Sequence, residues 1–467
     1  MVPKFLYRKD NMTIYKDRLN DLNEKKLIKE KDYIIYWMQN TQRVDYNFGL
    51  KRAIDMSKTF EKPIIVYFSL GSSFFIQNKR KLYFLLEGLL DIKEKLNKLN
   101  IKMIIDYSKV SKNLLDLANN SICLITDKGY LRVEKKLNLK VSKNINCKMI
   151  IAESNLVVPV EIASKKEEYA AYTLRKKILS KADNYLKDFE PIKKQDLNTN
   201  LDLDFNITLN SKKDFETICS KLNIQKVTPS KIYKGGPSKA YKRFNSFLKN
   251  NLDKYEEFSN DPVKDITSRL SPYLNYGHIS PIYITKKLLD LEKTFEHDFL
   301  EQIIVRRELA YNYIYFNKYY DKNLSEILPN WGQKTIDKHI DDKRKYNYSL
   351  DTLENSETHD EFWNACQNEL KDTGLMHNYM RMYWGKKVLE WSNNYQKAFD
   401  NLIILNDKYA IDGFSPNGYT GIAWCFGKHD RAWKERDIFG KIRYMNANGL
   451  KRKFDIQKYV DKYRKEK

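Results

Sequence analysis

Along the first third of the chain, apolar residues fall in short continuous runs instead of alternating or helical stripes. Tyr33 to Trp37, Ile64 to Phe68, Ile101 to Asp106, Ile122 to Thr126 and Met149 to Ile151 read as buried strands. Between them the apolar spacing predicts helices at Tyr46 to Lys58, Lys79 to Leu99 and Ser111 to Ala118. Strand and helix alternate, so the fold expected here is α/β, a doubly wound parallel sheet, after a charged helical extension reaching about Lys31. No Gly-x-Gly-x-x-Gly follows the first strand, which excludes a standard dinucleotide-binding turn.

From Ser180 to about Ser230 the sequence turns polar and rich in Lys, Asn and Asp, and reads as a linker with a short helix or two. Beyond Tyr233 the pattern is helical: Pro237 to Asn250, Pro281 to Leu291, His297 to Phe316, Asp360 to Leu370, Leu375 to Trp391 and Phe399 to Asn406. The expected organisation is an extension at 1–30, a Rossmann-like unit at 31–180, a linker at 181–230 and an all-helical domain at 231–467.

A chain of 467 residues exceeds what one core organises, and 42% hydrophobic residues suffice for two. The excess of 84 Lys+Arg over 61 Asp+Glu gives +23, a bias toward polyanions. With 33 Tyr, 22 Phe and 7 Trp, cations stand beside rings able to stack on bases. Cys123, Cys147, Cys219, Cys366 and Cys425 are odd in number and never in a Cys-x-x-Cys spacing, so neither a disulfide framework nor a zinc site is expected. The N-terminus has no signal-peptide pattern and no run approaches a membrane span, so an intracellular protein, cytoplasmic or nuclear, is expected.

Three stretches carry chemistry. Asn406 to Tyr444 joins Asp407 and Asp412 to a Pro-Asn-Gly turn at Pro416 to Gly418, a small-residue approach to Trp424, and the cations Arg431, Lys434, Arg436, Lys441 and Arg443. Thr267-Ser268-Arg269-Leu270-Ser271-Pro272-Tyr273 reads as a helix start with Ser271 as cap, hence either a plain cap or an anion site with extra hydroxyls. In Leu375 to Trp391, Trp384 and Trp391 share a face, a spacing that also suits core packing, while Arg381 needs a carboxylate, for which Asp412 is the candidate. Trp363, one helix earlier, extends the series of oxidisable rings.

Together these stretches resemble the class II cyclobutane pyrimidine dimer photolyases, of the photolyase and cryptochrome superfamily, over nearly the whole chain. The resemblance is carried by Thr-Ser-Arg-Leu-Ser-Pro-Tyr, Val-Arg-Arg-Glu-Leu, Met-Arg-Met-Tyr-Trp with Leu-Glu-Trp, and Asp-Gly-x-x-Pro-Asn-Gly-Tyr-x-Gly-Ile-Ala-Trp-Cys-Phe-Gly-Lys-His-Asp-Arg-x-Trp. Gln42 to Asn47 and Lys166 to Arg175 add to it.

The resemblance implies a bent FAD in the helical domain. Tyr255, Thr267, Ser268, Arg269, Leu270 and Ser271 would hold its phosphates and ribityl chain, with Arg307 and Gly413 also in the cofactor site. Arg381 and Asp412 would pair under the ring, Asp407 would bond the flavin and Asn406 would face N5. A guanidinium there favours the anionic reduced flavin. Lesion contacts would come from Glu301 or Gln302, Met382, Tyr383 and Trp424. Relatives tend to carry two acids where this chain has Glu301-Gln302, and some have arginine at the position of Ser259.

Electrons would pass along Trp384, Trp363 and Trp391, with Tyr348 as an outer or branching site. Arg431, Trp433, Lys441 and Arg443 would grip double- or single-stranded DNA and fill the hole left by an extruded dimer. An antenna pigment, deazaflavin or folate, would belong to the N-terminal unit, and a monomer is expected.

The activity implied is light-driven repair, in which photoexcited reduced FAD passes an electron to a flipped cyclobutane dimer and the ring splits. The rival is a cryptochrome-like receptor using the same FAD and Trp chain, although receptors commonly add a long tail and this sequence stops at Lys467. Of the six histidines only His377 lies in the Met382 helix, with no second histidine obviously placed to pair with it. That points to the cyclobutane dimer over the (6-4) photoproduct, whose repair a proton donor assists.

Overall fold

A computed structural model describes residues 16–71, 78–107, 112–199, 205–222 and 224–464. Six strands form one sheet: β1 (Leu19–Asp21), β2 (Tyr33–Trp37), β3 (Ile64–Ser69), β4 (Lys102–Asp106), β5 (Ser121–Asp127) and β6 (Lys148–Ala152). Their order is β1-β6-β5-β2-β3-β4, with every pair parallel except β1 against β6. The strands β2, β3 and β5 are buried at every residue, because helices α1 (Phe48–Phe60), α2 (Lys79–Lys98), α3 (Lys112–Asn119) and α4 (Arg132–Asn144) cover both faces. Ser111, the expected start of α3, lies outside the described residues.

One expectation needs correction here. Residues 1–15 of the extension lie outside the described region, but Leu19–Asp21 is an edge strand and not helix, held by β6 and continued by the Leu22 N–H to the Met149 carbonyl at 2.8 Å. The stretch read as a linker, 181–230, packs against the sheet edge. Asn206 and Ile207 bond the edge of β4 through Ile105, at 3.0 and 2.7 Å, and Ile207, Leu209, Phe215 and Ile218 are buried there around one helix, Asp214–Ser220. This covers an exposed strand edge.

In an open sheet of this kind the crevice at the strand-order reversal ordinarily takes a ligand. Here Asp127, at the end of β5, closes it by accepting from the backbone N–H groups of Gln39 and Thr41 at 2.8 and 2.9 Å and from the Tyr36 hydroxyl at 2.7 Å. The loop then continues into the helical half, where the buried Arg43 guanidinium reaches the Gly277 carbonyl at 2.8 Å. Gly277 has φ +71°, and a Cβ on it would lie 2.0 Å from the Asn40 carbonyl oxygen, so only glycine fits this junction.

The remaining principal helices are α5 (Ala171–Tyr185), α6 (Pro237–Asn250), α7 (Pro281–Asp290), α8 (Arg307–Phe316), α9 (Glu361–Thr373), α10 (Asn378–Trp391), α11 (Tyr395–Tyr409), α12 (Pro416–Cys425) and α13 (Ile456–Tyr463). The expected Pro-Asn-Gly turn is instead the first turn of α12: Ser415 caps it by accepting from the Gly418 N–H at 3.0 Å, and Pro416 opens it. The two halves do not keep separate cores. One apolar cluster joins Ile34 and Val66 of the sheet to Leu375 and Ile411, and a second joins Tyr130 and Leu156 to Trp363 and Trp384.

Candidate active site

The first turn of α10 meets the turn after α11. Arg381 places Nη2 3.2 Å from Asp412 Oδ1 and Nη1 3.4 Å from Asn406 Oδ1. His377 caps the same helix, its Nδ1 accepting from the Tyr379 N–H at 3.3 Å. The ion pair forms part of the wall of a cavity of about 440 Å³ that Tyr255, Ser259, Thr267 to Ser271, Glu301, Gln302 and Arg307 also line. Segments distant in sequence thus converge on one space. The Thr267 hydroxyl is buried without a hydrogen-bond partner, so the wall offers an unsatisfied donor.

The Thr267–Ser271 loop departs from the expected cap. Ser271 is the first helical residue of Ser271–Asn275, and Leu270, whose side chain cannot accept, stands at the cap position. Arg269 forces this: it sits at φ +52°, and its guanidinium is committed to Asp265 at 2.7 Å and Glu369 at 3.3 Å, so it fastens the loop and is not free for a phosphate. Glu369 also accepts from the Tyr459 hydroxyl of α13 at 2.6 Å.

Asn406, Asp407 and Gly413 do not line the cavity; they stand behind it. Asp407 accepts from the Phe414 N–H at 2.7 Å and the Tyr419 hydroxyl at 3.1 Å, and burial raises its pKa. A Cβ on Gly413 would lie 2.7 Å from the Asn406 carbonyl oxygen, so this glycine allows the close turn that presents Asp412. Lys81, unremarked from sequence, is buried beside Asp407 and Asp412, and burial brings its pKa down to about 8 against their pull. Its signal was a lysine in register with Phe84, Leu85 and Gly88 on the buried stripe of α2.

A second cavity of about 390 Å³ adjoins the first, and Gln302, Arg306, Arg307, Asn417 and Gly421 line both. A Cβ on Gly421 would meet nothing within 4 Å, which leaves the passage between them open. Met382 and Trp424 line only the second cavity, with Tyr379, which sequence reasoning missed. Glu301 and Gln302 open a π-helical turn, Glu301–Arg306. Arg175 grips Glu301 with bonds of 2.7 and 3.0 Å and Arg306 adds one of 3.1 Å, whereas Gln302 is exposed toward both cavities. Tyr383 corrects an expectation: it is fully buried with its hydroxyl on Asp360, the cap of α9, and presents no surface to a lesion or to DNA.

The aromatic series is continuous. The Trp384 and Trp363 rings are 6.4 Å apart and nearly parallel, Trp363 and Trp391 are 5.7 Å apart, and Trp391 meets Tyr348 edge-on at 5.3 Å. Trp384 donates to Gln367 Oε1 at 3.0 Å and Trp363 donates to the Trp384 carbonyl at 2.9 Å, so both indoles are fixed.

The basic residues after α12 form a hairpin closed by the Trp433 N–H to the Lys441 carbonyl at 2.8 Å and by paired bonds between Arg436 and Gly440. Trp433 is 39% exposed at its surface, with Arg431 and Arg443 over its ring at 5.0 and 5.2 Å. Arg443 lines the second cavity as well, so this face continues into it.

A family model described as DNA photolyase matches residues 34–194. The deoxyribodipyrimidine photo-lyase of Methanothermobacter thermautotrophicus is 41% identical over 97% of this chain and 99% of its own length. That of Arabidopsis thaliana is 35% identical over 91% of this chain and 88% of its own. A Synechocystis cryptochrome crystal structure covers 92% of this chain and 88% of its own with a TM-score of 0.72, and its 16% identity shows a shared fold. With identity of that extent reaching from the sheet through the cavity to the basic hairpin, this chain belongs to the DNA photolyase family.

Proposed function

We propose that this chain is a light-driven DNA repair enzyme of the class II cyclobutane dimer photolyase type, with FAD in the 440 Å³ cavity. The observation that carries this is the pair of cavities meeting at Gly421, one walled by the Arg381–Asp412 pair and the other by Trp424 and Met382. Bound there and reduced, FAD would supply photoexcited one-electron chemistry to a cyclobutane dimer. The chain's residues supply geometry and field. Thr267, Ser268 and Ser271 offer hydroxyls, and Tyr255 and Leu270 apolar wall, to the dinucleotide. Arg381 brings positive charge to the ring, with Asn406 and Asp407 steadying it from behind. Gln302, not the doubly gripped Glu301, is the amide that bonds the pyrimidine edge, against the apolar faces of Trp424 and Met382.

The DNA enters along the Arg431, Trp433, Lys441 and Arg443 hairpin, Trp433 filling the place of the extruded pair in duplex or lying on a single strand. The same reading assigns residues 31–180 to an antenna-type unit, 181–230 to a connection and 231–467 to catalysis by a monomer, with a deazaflavin or folate as second chromophore. A DNA-associated location follows from the substrate. Among the described residues no helix is long and apolar enough to cross a membrane.

The lesion is the cyclobutane dimer. His377 is buried at its cap with its pKa brought down to about 4 by burial, and His429, near Trp424, is buried against the Tyr169 carbonyl with its pKa down to about 3. Burial thus disfavours the imidazolium form of both, the acid that would assist the oxygen transfer a (6-4) product requires. The test is illumination of purified protein with oligonucleotides carrying each lesion. Recovery of pyrimidines from the cyclobutane dimer is expected. Flavin photoreduction without dimer loss would favour a receptor, and restoration of only the (6-4) lesion would overturn the substrate.

A further inference from the structure

The aromatic series does not stop at an indole. Tyr348 receives the Trp391 ring edge-on, and its hydroxyl lies 2.7 Å from His359 Nδ1. The same hydroxyl oxygen accepts the His359 backbone N–H at 3.1 Å. One lone pair is occupied from the histidine's own backbone, and in the Nε2–H tautomer of His359 the phenolic proton is directed at Nδ1 as acceptor. Tyr346 stacks on a face of the imidazole at 3.6 Å and 18°, so the ring is held in place while His359 remains exposed to water. Nothing in a packed aromatic core requires this arrangement, and an exposed Tyr–His pair of such definition ends a chain of three indoles.

We propose that Tyr348 and His359 form a proton-coupled terminal donor for the tryptophan chain, His359 taking the phenolic proton as Tyr348 gives up its electron. The inference rests on the assignment of Trp384, Trp363 and Trp391 as that chain. The oxidant is photoexcited oxidised flavin, whose electron demand is passed outward until Trp391 is oxidised by one electron. One electron then moves from the Tyr348 ring to Trp391 and restores the neutral indole. The Tyr348 proton moves from Oη to His359 Nδ1, leaving a neutral tyrosyl radical and an imidazolium whose Nε2 proton can pass to water. A small thiol outside the protein later returns a hydrogen atom to Tyr348. Because the phenolic proton has left the oxygen, the electron cannot return to Tyr348 without it, and back-transfer is slowed.

The groups facing His359 are Tyr346 and Tyr348, Asp360 at the cap of α9, Lys387 and Glu390 on α10, and Lys345. Burial lowers the His359 pKa below its ordinary value, with Asp360 opposing, so the imidazole is neutral and able to accept at neutral pH. Protonation on acidification fills Nδ1, so tyrosine oxidation is lost as pH falls through that pKa.

The experiment is transient absorption and electron paramagnetic resonance on the holoenzyme with oxidised flavin, in light and heavy water. A neutral tyrosyl signal, formed more slowly in heavy water, is expected in the wild type and absent in Tyr348→Phe, where the oxidised state stays on Trp391. In His359→Ala the tyrosyl signal should form roughly a hundredfold more slowly, the size of a lost general base, and added imidazole should restore it. Dimer repair by chemically reduced His359→Ala should match wild type. In the dark, nitrogen NMR should show His359 Nδ1 as an unprotonated acceptor in the wild type and shifted in Tyr348→Phe. An equal tyrosyl rate in His359→Ala without an isotope effect, or a wild type that oxidises only tryptophan, would overturn the proposal. Failure of the underlying chain is told apart by Trp384→Phe, which would then photoreduce like wild type.

Discussion

Arg381 and Asp412 stand 3.2 Å apart, Nη2 to Oδ1, and so join the first turn of α10 to the turn after α11 at the cavity wall. The pair is mostly enclosed, so removal of either partner leaves the other charge poorly solvated. Arg381→Ala should loosen flavin retention about ten- to a hundredfold, from the ~1.5–3 kcal/mol of a charged hydrogen bond, and lower the flavin midpoint potential. Asp412→Asn should raise that potential, since it deletes the negative member. Spectroelectrochemical titration decides; shifts of the same sign in both variants would count against the ring lying at this wall.

Trp384→Phe should abolish photoreduction of the oxidised flavin and leave repair by chemically reduced enzyme nearly intact. In the proposed chain Trp363 is reached only through Trp384, on which it stacks nearly parallel at 6.4 Å. Steady illumination with a reductant, followed by absorption, reads the outcome.

DNA binding should weaken steeply with salt, with a log–log slope of about 0.9 per phosphate neutralised. Arg431→Ala and Arg443→Ala should each shallow that slope by about one contact and reduce affinity for damaged duplex while the flavin spectrum stays constant. Wild-type binding in both would assign the hairpin to solvation only.

Gly421→Val puts a side chain into the open passage between the cavities. Helix α12 should tolerate it with roughly 1 kcal/mol or less of stability change, yet dimer splitting should drop sharply, because flavin and lesion could no longer approach. Melting temperature and repair rate, measured together, separate the two effects.

Glu308 is buried in α8, where its carboxyl accepts from the backbone of Val157 and Val158, and burial pushes its pKa up to about 8. The unfolded carboxyl titrates near 4.5. Between these values the folded chain keeps a proton that the unfolded chain has lost, so the contribution is full below pH 4.5 and is lost as pH rises to about 8. Glu308→Gln should flatten that decline in urea unfolding; an unchanged pH slope would show that the group titrates normally.

The strands of the sheet were legible because burial on both faces leaves continuous apolar runs, as in Tyr33–Trp37 and Ser121–Asp127. Helix α4 was not, because three of the four residues it buries are polar, and two of them, Glu134 and Asn138, are bonded into the loops after β2 and β5 instead of packed in oil. Leu19–Asp21 has no pattern of its own and is a strand only because β6 offers partners. Residue types named the Arg381–Asp412 pair in advance, since an arginine among aromatics demands a carboxylate. They could not show that Arg269 is spent on Asp265 and Glu369, or that Tyr383 turns inward to Asp360, because both depend on which way a side chain leaves its backbone.

Arg80 leaves the sheet half on α2 and donates to the Leu370 carbonyl at 3.0 Å and the Tyr409 carbonyl at 2.8 Å, in the last turns of α9 and α11. Those two helices carry Trp363 and Asn406, so one guanidinium from the sheet half closes the ends of both. A cation at helix C-termini is favourable on its own account, and here it also makes the halves inseparable in inheritance. A chimaera that takes its first 180 residues from one relative and the rest from another must import Arg80 together with the surfaces around Leu370 and Tyr409. A fragment cut to the helical half alone would lose the plug that shapes its own centre.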